Sequence, residues 1–331
     1  MSETFTAMVI DTVNGKPKGA FRQMTVADLP DQDVLVEIAY STLNYKDGLA
    51  VSGKGKIARR TPLIGGVDLC GTVVESRAPS WKIGDRVMVN GWGLSETEFG
   101  GYARFAKVKP EWLIRLPDVF SPAQAMAIGT AGYTAALCVD ALEKWGAIKP
   151  GKGEVLVTGA AGGVGSIAIA LLSAAGYNVT ASTGRPETHD YLRSLGANAF
   201  IDRATLQEKG GPLQKERWSG GIDSVGSTTL ANALAQTVRG GAIAACGLAG
   251  GADLPATVIP HILRSVALIG VDSVMAPQSQ RQSAWARLAR DLDRAKLDNI
   301  TQLQPMSKLP ELAEDILAGK IRGRVVIDVS K

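Results

Sequence analysis

The chain has 331 residues and is 45% hydrophobic, so its length predicts about two domains with substantial cores. Its formal net charge of +4 is small and comes without a long basic block, which argues against nucleic-acid binding but suits an anionic substrate. Two histidines and three widely spaced cysteines are too few ligands for a zinc site to be expected, and such cysteines are typical of reduced thiols.

The start of the chain bears on its location. The first residues read MSETFTAMVIDTVNG and have neither the basic start nor the apolar core of a signal peptide. We find no apolar run that we judge long enough to span a bilayer. We therefore expect a cytoplasmic protein that binds neither membrane nor nucleic acid.

The first 123 residues are predicted to be rich in β-strands. Turn residues separate short runs of strand-forming residues, and such a series with irregular loops predicts a small closed barrel. The predicted strands are Phe5–Ile10, Asp33–Ala39, Gly71–Val74, Arg86–Val89 and Tyr102–Lys107.

A helical segment follows. Ser121 and Pro122 are typical of an N-cap and a first helical position, and the pattern continues to Leu142. Small residues interrupt it at 129–134, where the sequence is GTAGYT. We predict that a cofactor approaches the backbone there, close to Thr130.

The stretch 154–176 carries the strongest functional signal and reads EVLVTGAAGGVGSIAIALLSAAG. It predicts a buried strand, a glycine-rich turn and a helix from Ser166 to Ala175, which is the arrangement that binds a dinucleotide. Gly162 allows the backbone to approach a pyrophosphate, and Gly165 allows the helix to pack closely on the strand. The first N–H groups of the helix then face the phosphates. The residues predicted to bind there are Ala160, Ala161, Gly162, Gly163, Val164 and Gly165.

The second strand, Asn178–Ser182, indicates which nicotinamide cofactor is used. NAD enzymes usually carry an acidic residue about 20 residues after the glycines, and none occurs here. A carboxylate would repel a 2′-phosphate, whereas hydroxyls and a guanidinium would bind it. We therefore predict NADPH, although Arg185 has the alternative of being a solvated residue before a helix that Pro186 opens. The predicted contacts are Ser182, Thr183, Gly184 and Arg185.

Alternating strands and helices complete the second half of the chain. They predict an α/β fold with a Rossmann doubly wound parallel sheet over residues 124–275. A helix at Ser283–Arg294 and a last strand at Gly323–Val329 are expected to return to the first domain, which would make that domain discontinuous (1–123 and 276–331). The remaining predicted strands of the parallel sheet are Ala199–Asp202, Ile222–Val225, Ala242–Cys246 and Ala267–Val271, with a helix at Thr228–Val238.

Three strings show a family resemblance: GAAGGVG in the turn, GVDLCGTV at 66–73 and KIGDRV at 82–87. With the β-rich first domain, they resemble the medium-chain dehydrogenase/reductase superfamily, which implies that the first domain is a GroES-like barrel. The zinc alcohol dehydrogenases of that superfamily place a Cys and a His-Glu pair where this chain has Asn44, Val67 and Asp68. The chain is therefore similar to the zinc-free, quinone-oxidoreductase-like branch.

Longer strings narrow the resemblance. STLNYKDGLAVSGKGKIARR, GTAGYTAALCV, CGLAGGADLPATVIPHILR and GVDSVMAP are similar to those of NADPH-dependent acryloyl-CoA reductases. This implies hydride transfer to the β-carbon of acryloyl-CoA, which gives propionyl-CoA. It also implies that the reaction needs no zinc and that the enzyme is a homodimer. Two alternatives stay open: an NADPH:quinone or general enone oxidoreductase, and a non-catalytic NADPH-binding protein.

The resemblance implies that the loop at 44–47 is the active-site loop. Asn44 replaces a metal ligand, so we expect its amide to position the nicotinamide or the substrate carbonyl, while Asp47 orients Lys46. We expect Tyr45 to contact the nicotinamide ribose or to supply a proton. The alternative is a capped helix start with a buried tyrosine. A structural role is at least as plausible as a catalytic one for Asp68.

The resemblance also implies contacts elsewhere. The further cofactor contacts are Arg203, Leu248, Ile262, Ser273 and Arg324, for which core packing or surface solvation is the alternative. Arg324 is expected to meet a phosphate of the cofactor or of coenzyme A. The densest basic cluster is predicted to attract the phosphates of coenzyme A, although such clusters are often only solvated surface. It consists of Lys54, Lys56, Arg59 and Arg60.

Overall fold

The computed structural model describes residues 3–331, which form sixteen strands and ten α-helices. The strands are β1 (Thr4–Val13), β2 (Lys16–Thr25), β3 (Val34–Leu43), β4 (Leu63–Ile64), β5 (Asp68–Ser76), β6 (Arg86–Asn90), β7 (Phe105–Val108), β8 (Ile114–Arg115), β9 (Glu154–Val157), β10 (Asn178–Thr183), β11 (Ala199–Asp202), β12 (Trp218–Asp223), β13 (Thr237–Ala245), β14 (Ala267–Gly270), β15 (Thr301–Pro305) and β16 (Arg324–Asp328). The α-helices are α1 (Tyr45–Ser52), α2 (Pro122–Trp145), α3 (Gly163–Ala174), α4 (His189–Leu195), α5 (Ala204–Gln207), α6 (Ser227–Ala235), α7 (Ile259–Arg264), α8 (Gln278–Asp291), α9 (Arg294–Asn299) and α10 (Leu309–Leu317).

These elements form two compact units. The first unit holds the described residues up to Thr130, together with Val274–Gln282 and Asp298–Lys331. The second holds Ala131–Ser273 and Ser283–Leu297.

The first unit contains two β-sheets. One has the strand order β2-β1-β4, and the other has the order β15-β16-β3-β5-β6-β8, with β7 also paired to β3. The long strand β3 pairs with β7 through its first half and with β16 through its last residues. Its other edge pairs with β5, which pairs in turn with β6. Because β3 is antiparallel to both β5 and β16, its last residues lie beside the first residues of those strands.

Helix α1 follows β3 directly and packs against α10. The contact is close at Gly48, where a Cβ atom would lie 2.6 Å from the Cγ2 atom of Ile316. The core beneath contains apolar residues from both sheets and from α10, including Leu69, Tyr102 and Leu309. This packing fixes the segment that joins β3 to α1.

The second unit is built on a six-stranded parallel sheet with the order β11-β10-β9-β12-β13-β14. This order is that of a doubly wound dinucleotide-binding fold, with β9 as its first strand. The predicted α/β class and parallel sheet are therefore confirmed. Its core includes Leu156, Trp218, Leu230 and Ile243.

The two units differ from the predicted domain boundaries at residues 124–130 and 274–275, which were expected in the second domain but belong to the first unit, and at one longer segment. Residues 283–297 were expected in the first domain but belong to the second unit. Side-chain contacts explain the difference, since Arg287 forms ion pairs with Asp140 and Glu143 of α2. Lys296 also donates to the carbonyl of Leu195 at the end of α4.

Helix α2 is long and apolar enough, by length and composition, to cross a membrane. The expectation that no apolar run is long enough to span a bilayer is therefore wrong by length and composition. Most of its most apolar 18-residue window (83%) is buried inside the fold, as in the core helices of many globular proteins. Its backbone leaves the helical region at Gly129, where φ is +48°.

Candidate active site and cofactor site

A fully buried carboxylate, Asp68, organises one end of the seven-stranded sheet. Its Oδ1 atom accepts hydrogen bonds from the Asn90 amide at 2.6 Å and from the Thr130 hydroxyl at 2.6 Å. Its Oδ2 atom accepts from the Asn44 amide at 2.8 Å and from the Thr130 backbone N–H at 3.1 Å. Asp68 begins β5 opposite Asn90 at the end of β6, so sheet register brings this pair together.

Both amide protons of Asn44 are already used within the protein. The Nδ2 atom lies 2.8 Å from Asp68 Oδ2 and 3.1 Å from Asp47 Oδ2, and both carboxylates can only accept. The Oδ1 atom accepts from the Arg324 guanidinium at 3.2 Å. Asn44 therefore has no amide proton left for a substrate carbonyl, and the direct positioning role predicted for its amide N–H does not fit this geometry.

Asp47 caps helix α1. Its carboxylate accepts from the Asn44 backbone N–H at 2.9 Å and from the Val67 N–H at 3.0 Å, so it joins the start of α1 to the segment before β5. The expectation that it orients Lys46 is wrong, because Lys46 pairs with Glu96 at 2.6 Å. Burial, and next the charge of Asp68, raise the pKa of Asp47 from 3.8 to about 7, against the opposing effect of these hydrogen bonds.

The raised pKa of Asp47 predicts a specific pH dependence of stability. Between the ordinary pKa and about pH 7, the folded protein holds a proton that the unfolded chain has lost, so this group makes the free energy of unfolding fall as pH rises. The contribution is about 1.4 kcal/mol per pH unit over that interval and levels off above it. We expect the stability of the wild type relative to Asp47→Asn to fall between pH 5 and pH 7, measured as the difference in melting temperature in buffers of equal ionic strength. A difference that stays constant over this range would contradict the raised pKa.

Thr130 lies at a sharp bend in α2 beside the same carboxylate. A Cβ atom on the preceding Gly129 would lie 2.9 Å from Thr42 Cγ2, 3.0 Å from Arg324 Nη2 and 3.1 Å from Asp68 Oδ2. Glycine is therefore required there both by its positive φ and by the close contacts. The predicted interruption of the helix is confirmed, and its visible consequence is to bring Thr130 onto Asp68.

Arg324 is nearly buried, with 3% of its surface exposed. Its guanidinium donates to the carbonyl of Ala127 at 2.7 Å and to the Thr42 hydroxyl at 2.8 Å, in addition to Asn44 Oδ1. A group so enclosed does not fit the predicted contact with a cofactor or coenzyme A phosphate. It belongs instead to the hydrogen-bond network around Asp68.

Two residues of this site were missed by the sequence analysis. Asn90 ends β6, and only the strand register reveals that it faces Asp68. Arg281 is fully buried and donates to the carbonyls of Asn90, Val274 and Ala276, while its guanidinium lies 4.3 Å from the centre of the Trp92 ring. No local signal around Arg281 distinguishes it from the surface arginines of α8.

Tyr45 is the first residue of α1, and 40% of its surface is exposed. The predicted alternative of a buried tyrosine is therefore wrong, although the capped helix start is present. Its neighbours in the chain, Asn44 and Lys46, are both tied to carboxylates. Tyr45 is thus the residue of this loop whose side chain remains accessible to a ligand.

The glycine-rich turn has the geometry that a pyrophosphate site needs. A Cβ atom on Gly165 would lie 2.6 Å from the Cα atom of Ala160, so only glycine allows α3 to start this close to β9. At Gly162 such a Cβ would make a tight contact of 3.1 Å with the carbonyl oxygen of Gly159, and no other atom outside its chain neighbours in residues 3–331 lies within 4 Å. The first N–H groups of α3 have no partner within the helix. The turn thus fits the phosphates of a dinucleotide.

The segment after β10 presents hydroxyls and two guanidinium groups. Ser182 and Thr183 are buried at the end of the strand, and Arg185 is half-buried. The side chain of Arg203 lies across Gly184, where a Cβ atom would be 2.5 Å from Nε. The structure therefore brings Arg203 to the predicted segment 182–185, and this donor set fits a 2′-phosphate.

The other predicted cofactor contacts occupy different positions. Leu248 lies in the loop after β13, where its Cα atom would be 3.4 Å from a Cβ atom on Gly226. Ile262 is on α7 with 70% of its surface exposed, and Ser273 is half-buried at the end of the chain segment after β14. Their cofactor roles stay predictions.

A hydrogen-bond network after β12, which the sequence analysis missed, joins three strand ends. The buried carboxylate of Asp223 accepts from the Thr158 hydroxyl at 2.6 Å and from the Gly226 N–H at 2.7 Å, and burial raises its pKa. Ser224 donates to the carbonyl of Thr158 at 3.2 Å and lies against Gly159 and Gly247. An acidic residue at the carboxyl end of an apolar strand was the available signal.

The basic cluster is largely paired with carboxylates. Lys54 contacts Glu314 at 2.5 Å, Arg59 lies 3.7 Å from Glu96, and Arg60 lies 3.8 Å from Glu98. Lys56 is exposed and forms no ion pair with any residue from 3 to 331. The surface around this cluster is therefore less positive than its four basic residues alone suggest.

The donor atoms at the predicted zinc-equivalent positions do not suit zinc. Val67 offers no side-chain donor, and the polar atoms of Asn44 and Asp68 are occupied by the hydrogen bonds described above. Among residues 3–331, no group of three or more His, Cys, Asp or Glu side chains is arranged to hold a metal ion.

Comparison with known proteins places this geometry in a family. The family model described as "Alcohol dehydrogenase GroES-like domain" matches residues 30–118, and that described as "Zinc-binding dehydrogenase" matches residues 163–290. The acrylyl-CoA reductase AcuI of Ruegeria pomeroyi is 49% identical to this chain, over 98% of this chain and 99% of that protein.

Solved structures agree. The YhdH oxidoreductase of Salmonella enterica, in complex with NADP, superimposes with a TM-score of 0.95 at 47% identity, covering 98% of this chain and 99% of that one. The Bacillus subtilis protein YhfP with NAD bound gives a TM-score of 0.94 at 42% identity, covering 99% and 100%. The predicted resemblance is confirmed: the chain belongs to the medium-chain dehydrogenase/reductase superfamily, in the quinone-oxidoreductase-like branch that includes the acrylyl-CoA reductases.

Proposed function

We propose that this chain catalyses the NADPH-dependent reduction of the C=C bond of acryloyl-CoA to propionyl-CoA. The observation that carries the proposal is the 49% identity with an acrylyl-CoA reductase over 98% of the chain. Each unit supports it separately: the first carries an accessible Tyr45 at the start of α1, and the second carries a glycine-rich turn that fits phosphates.

The chemistry sets what the protein must supply. NADPH, when bound, supplies the hydride that adds to the β-carbon of the unsaturated thioester. Negative charge then develops on the thioester oxygen, where a positioned hydrogen-bond donor is worth about 3 kcal/mol. Because the amide protons of Asn44 are engaged, we assign this donor, or the proton donor to the α-carbon, to the Tyr45 hydroxyl. The Asp68 network holds the loop that carries it.

The choice of NADPH over NADH rests on the segment after β10. Arg185 directly follows Ser182, Thr183 and Gly184, Arg203 lies against Gly184, and the segment 182–185 contains no carboxylate. The NADP complex of the Salmonella protein agrees with this choice, whereas the Bacillus protein binds NAD. Pyrophosphate binding by the turn at 160–165 is common to both cofactors.

We also propose that the reaction is independent of zinc. The hydrogen-bonded Asn44 and Asp68 and the apolar Val67 support this, since none of them offers a free donor atom. Polarisation of the thioester is then left to hydrogen bonds.

Coenzyme A binding at the basic cluster is tested best at Lys56, the unpaired cation. We expect Lys56→Glu to raise KM for acryloyl-CoA about fivefold, because reversing one exposed charge near a phosphate costs roughly 1 kcal/mol. The effect should shrink in high salt. Steady-state kinetics measure it, with the exposed Lys209→Glu as the control and a small enone lacking coenzyme A as a second substrate. An equal rise in KM for the enone would remove the phosphate interpretation.

We further propose a homodimer that forms through the edge of the parallel sheet at β14. Exposed apolar residues occur on β14 and in the segment that leads to it: Leu254, Val258, Ile262, Leu263 and Leu268. We expect Val258→Asp combined with Leu268→Asp to give a monomer by light scattering after gel filtration, since buried unpaired carboxylates would destabilise the interface. Ile83→Asp, an exposed turn residue of the first unit, is the control. A wild-type monomer would refute the dimer.

We place the protein in the cytoplasm, as its three thiols, none of which forms a disulfide within residues 3–331, suit a reducing compartment. Fractionation of cells that express the tagged chain tests this location.

The function is tested by following NADPH oxidation with acryloyl-CoA, crotonyl-CoA and a simple quinone in parallel, with NADH and a chelator as controls. We expect fast turnover of acryloyl-CoA with NADPH that the chelator does not change. Tyr45→Phe should retain NADPH binding but lose most of kcat. A strong preference for the quinone would favour the quinone oxidoreductase, and NADPH binding without turnover of any alkene would favour the non-catalytic alternative.

A further inference from the structure

Arg324 is held by the interior of the first unit. It is 3% exposed, and its guanidinium donates to a carbonyl, a hydroxyl and an amide oxygen, those of Ala127, Thr42 and Asn44. The Thr42 hydroxyl is itself fixed, because it donates to the carbonyl of Val325 at 2.9 Å. These contacts together fix the orientation of the Arg324 guanidinium group.

The chemistry of its partners then determines the orientation of one amide. A guanidinium has only donors and a carboxylate only acceptors, so Arg324 must face the Oδ1 atom of Asn44, and Asp47 and Asp68 must face its Nδ2 atom. The opposite orientation would put donor against donor at one contact and acceptor against acceptor at two. Three contacts thus fix the Asn44 amide, those with Arg324, Asp47 and Asp68. Removing Arg324 removes the contact that a cation provides.

We propose that Arg324 is a positioning residue for the reduction. It fixes the Asn44 amide so that its two protons are donated to Asp47 and Asp68. These bonds in turn hold Tyr45 and Thr130 in place. The proposal rests on the proposed function and replaces the predicted phosphate contact. Arg324 acts through Asn44, which precedes Tyr45 in the chain and donates to Asp68, the carboxylate that also binds Thr130.

The charges around Asp47 give the proposal an independent readout. The titratable groups beside Asp47 are Asp68 and Tyr102, and Arg324 is linked to Asp47 through the Asn44 amide. Without Arg324 the Asn44 amide is less firmly held, so the hydrogen bonds from Asn44 that lower the pKa of Asp47 weaken and protonation of Asp47 is favoured. A protonated Asp47 would accept fewer N–H bonds, and the start of α1 would loosen.

Three substitutions test the proposal. In Arg324→Met we expect kcat to fall about 100-fold, as expected when a reacting group is displaced by about 1 Å. Arg324→Lys, which keeps the charge but not the planar fork, should retain about a tenth of kcat. Thr42→Val removes one acceptor of the guanidinium and should give a smaller loss. The exposed Arg322→Met is the control and should behave as the wild type.

Two further measurements separate positioning from phosphate binding and from simple misfolding. The NADPH Kd, from cofactor fluorescence, should stay within about twofold of the wild type in every variant. In Arg324→Met, the pH at which kcat is half-maximal should rise by about one unit. The midpoint of the pH range over which the melting temperature falls should rise by the same amount. A more than tenfold weaker NADPH Kd with kcat retained, or unchanged kcat and pH profiles in Arg324→Met and Arg324→Lys, would overturn the proposal.

Failure of the proposed function is recognised separately. If the wild type does not reduce acryloyl-CoA, that function is wrong, but the pH dependence of the melting temperature and the NADPH Kd do not require turnover. If Arg324→Met does not fold, the same measurements of pH profile and NADPH Kd are made on Arg324→Lys and Thr42→Val. Wild-type pH profiles in both variants would then contradict the positioning role of Arg324.

Discussion

Asp68→Asn should be among the most damaging isosteric substitutions in this protein. The carboxylate accepts four hydrogen bonds, from Asn44, Asn90 and twice from Thr130, and it is fully buried. An asparagine has one acceptor oxygen, and its NH₂ group would face two donors in either orientation unless its partners rearrange. We expect kcat/KM to fall by about 10²-fold to 10³-fold, because the loop that carries Tyr45 loses its anchor. The free energy of unfolding should fall by roughly 3 kcal/mol.

The matched control for this substitution is Asp328→Asn. Asp328 is also a buried carboxylate of the same sheet, but its partners are Ser330 and Lys331 at the end of the chain. We expect it to lose some stability and to keep kcat/KM. Kinetics at saturating NADPH and chemical denaturation of both variants measure the two effects. Equal losses of activity in the two variants would show that Asp68 matters only for stability.

The sequence predicted the second unit better than the first, and the reason is physical. In a parallel α/β unit each strand, turn and helix are neighbours along the chain, so GAAGGVG could be assigned to a strand–turn–helix from local pattern alone. The six strands of the parallel sheet were each predicted, with ends that shift by a few residues. The resemblance then correctly suggested the superfamily.

In the first unit the site depends on contacts between distant segments. Asn44 and Asp68 were identified because they replace zinc ligands, but their mutual hydrogen bond through an amide proton was not foreseen. Asn90 and Arg281 were missed altogether, since register and burial select them, not a motif. The resemblance assigned Arg324 to a phosphate, and nothing in the sequence around it shows that it is buried. Strands β2, β4, β8 and β15 were also missed.

The second large effect is expected at the adenosine end of the cofactor. Arg185 follows Ser182, Thr183 and Gly184 in the chain, and the side chain of Arg203 lies against Gly184. A hydrogen bond to a charged group contributes about 1.5–3 kcal/mol, so removing both guanidinium groups predicts a loss of roughly 10²-fold to 10⁴-fold in kcat/KM for NADPH. NADH lacks the 2′-phosphate, so its kcat/KM should change little in Arg185→Ala/Arg203→Ala.

The comparison is made with both cofactors at one fixed acryloyl-CoA concentration and at two salt concentrations. Arg239→Ala, an exposed arginine of the same unit, is the control and should not alter the NADPH to NADH ratio. The loss for NADPH should be smaller in high salt, because screening already weakens the interaction in the wild type. Unchanged kcat/KM values for both cofactors in the double variant would mean that the 2′-phosphate binds elsewhere, and Arg185 and Arg203 would then not be the residues that select NADPH. A parallel loss for both cofactors would instead point to a distorted β10 loop. Arg203→Ala alone distinguishes these results, since its side chain lies outside the strand and can be removed without disturbing the buried Ser182 and Thr183.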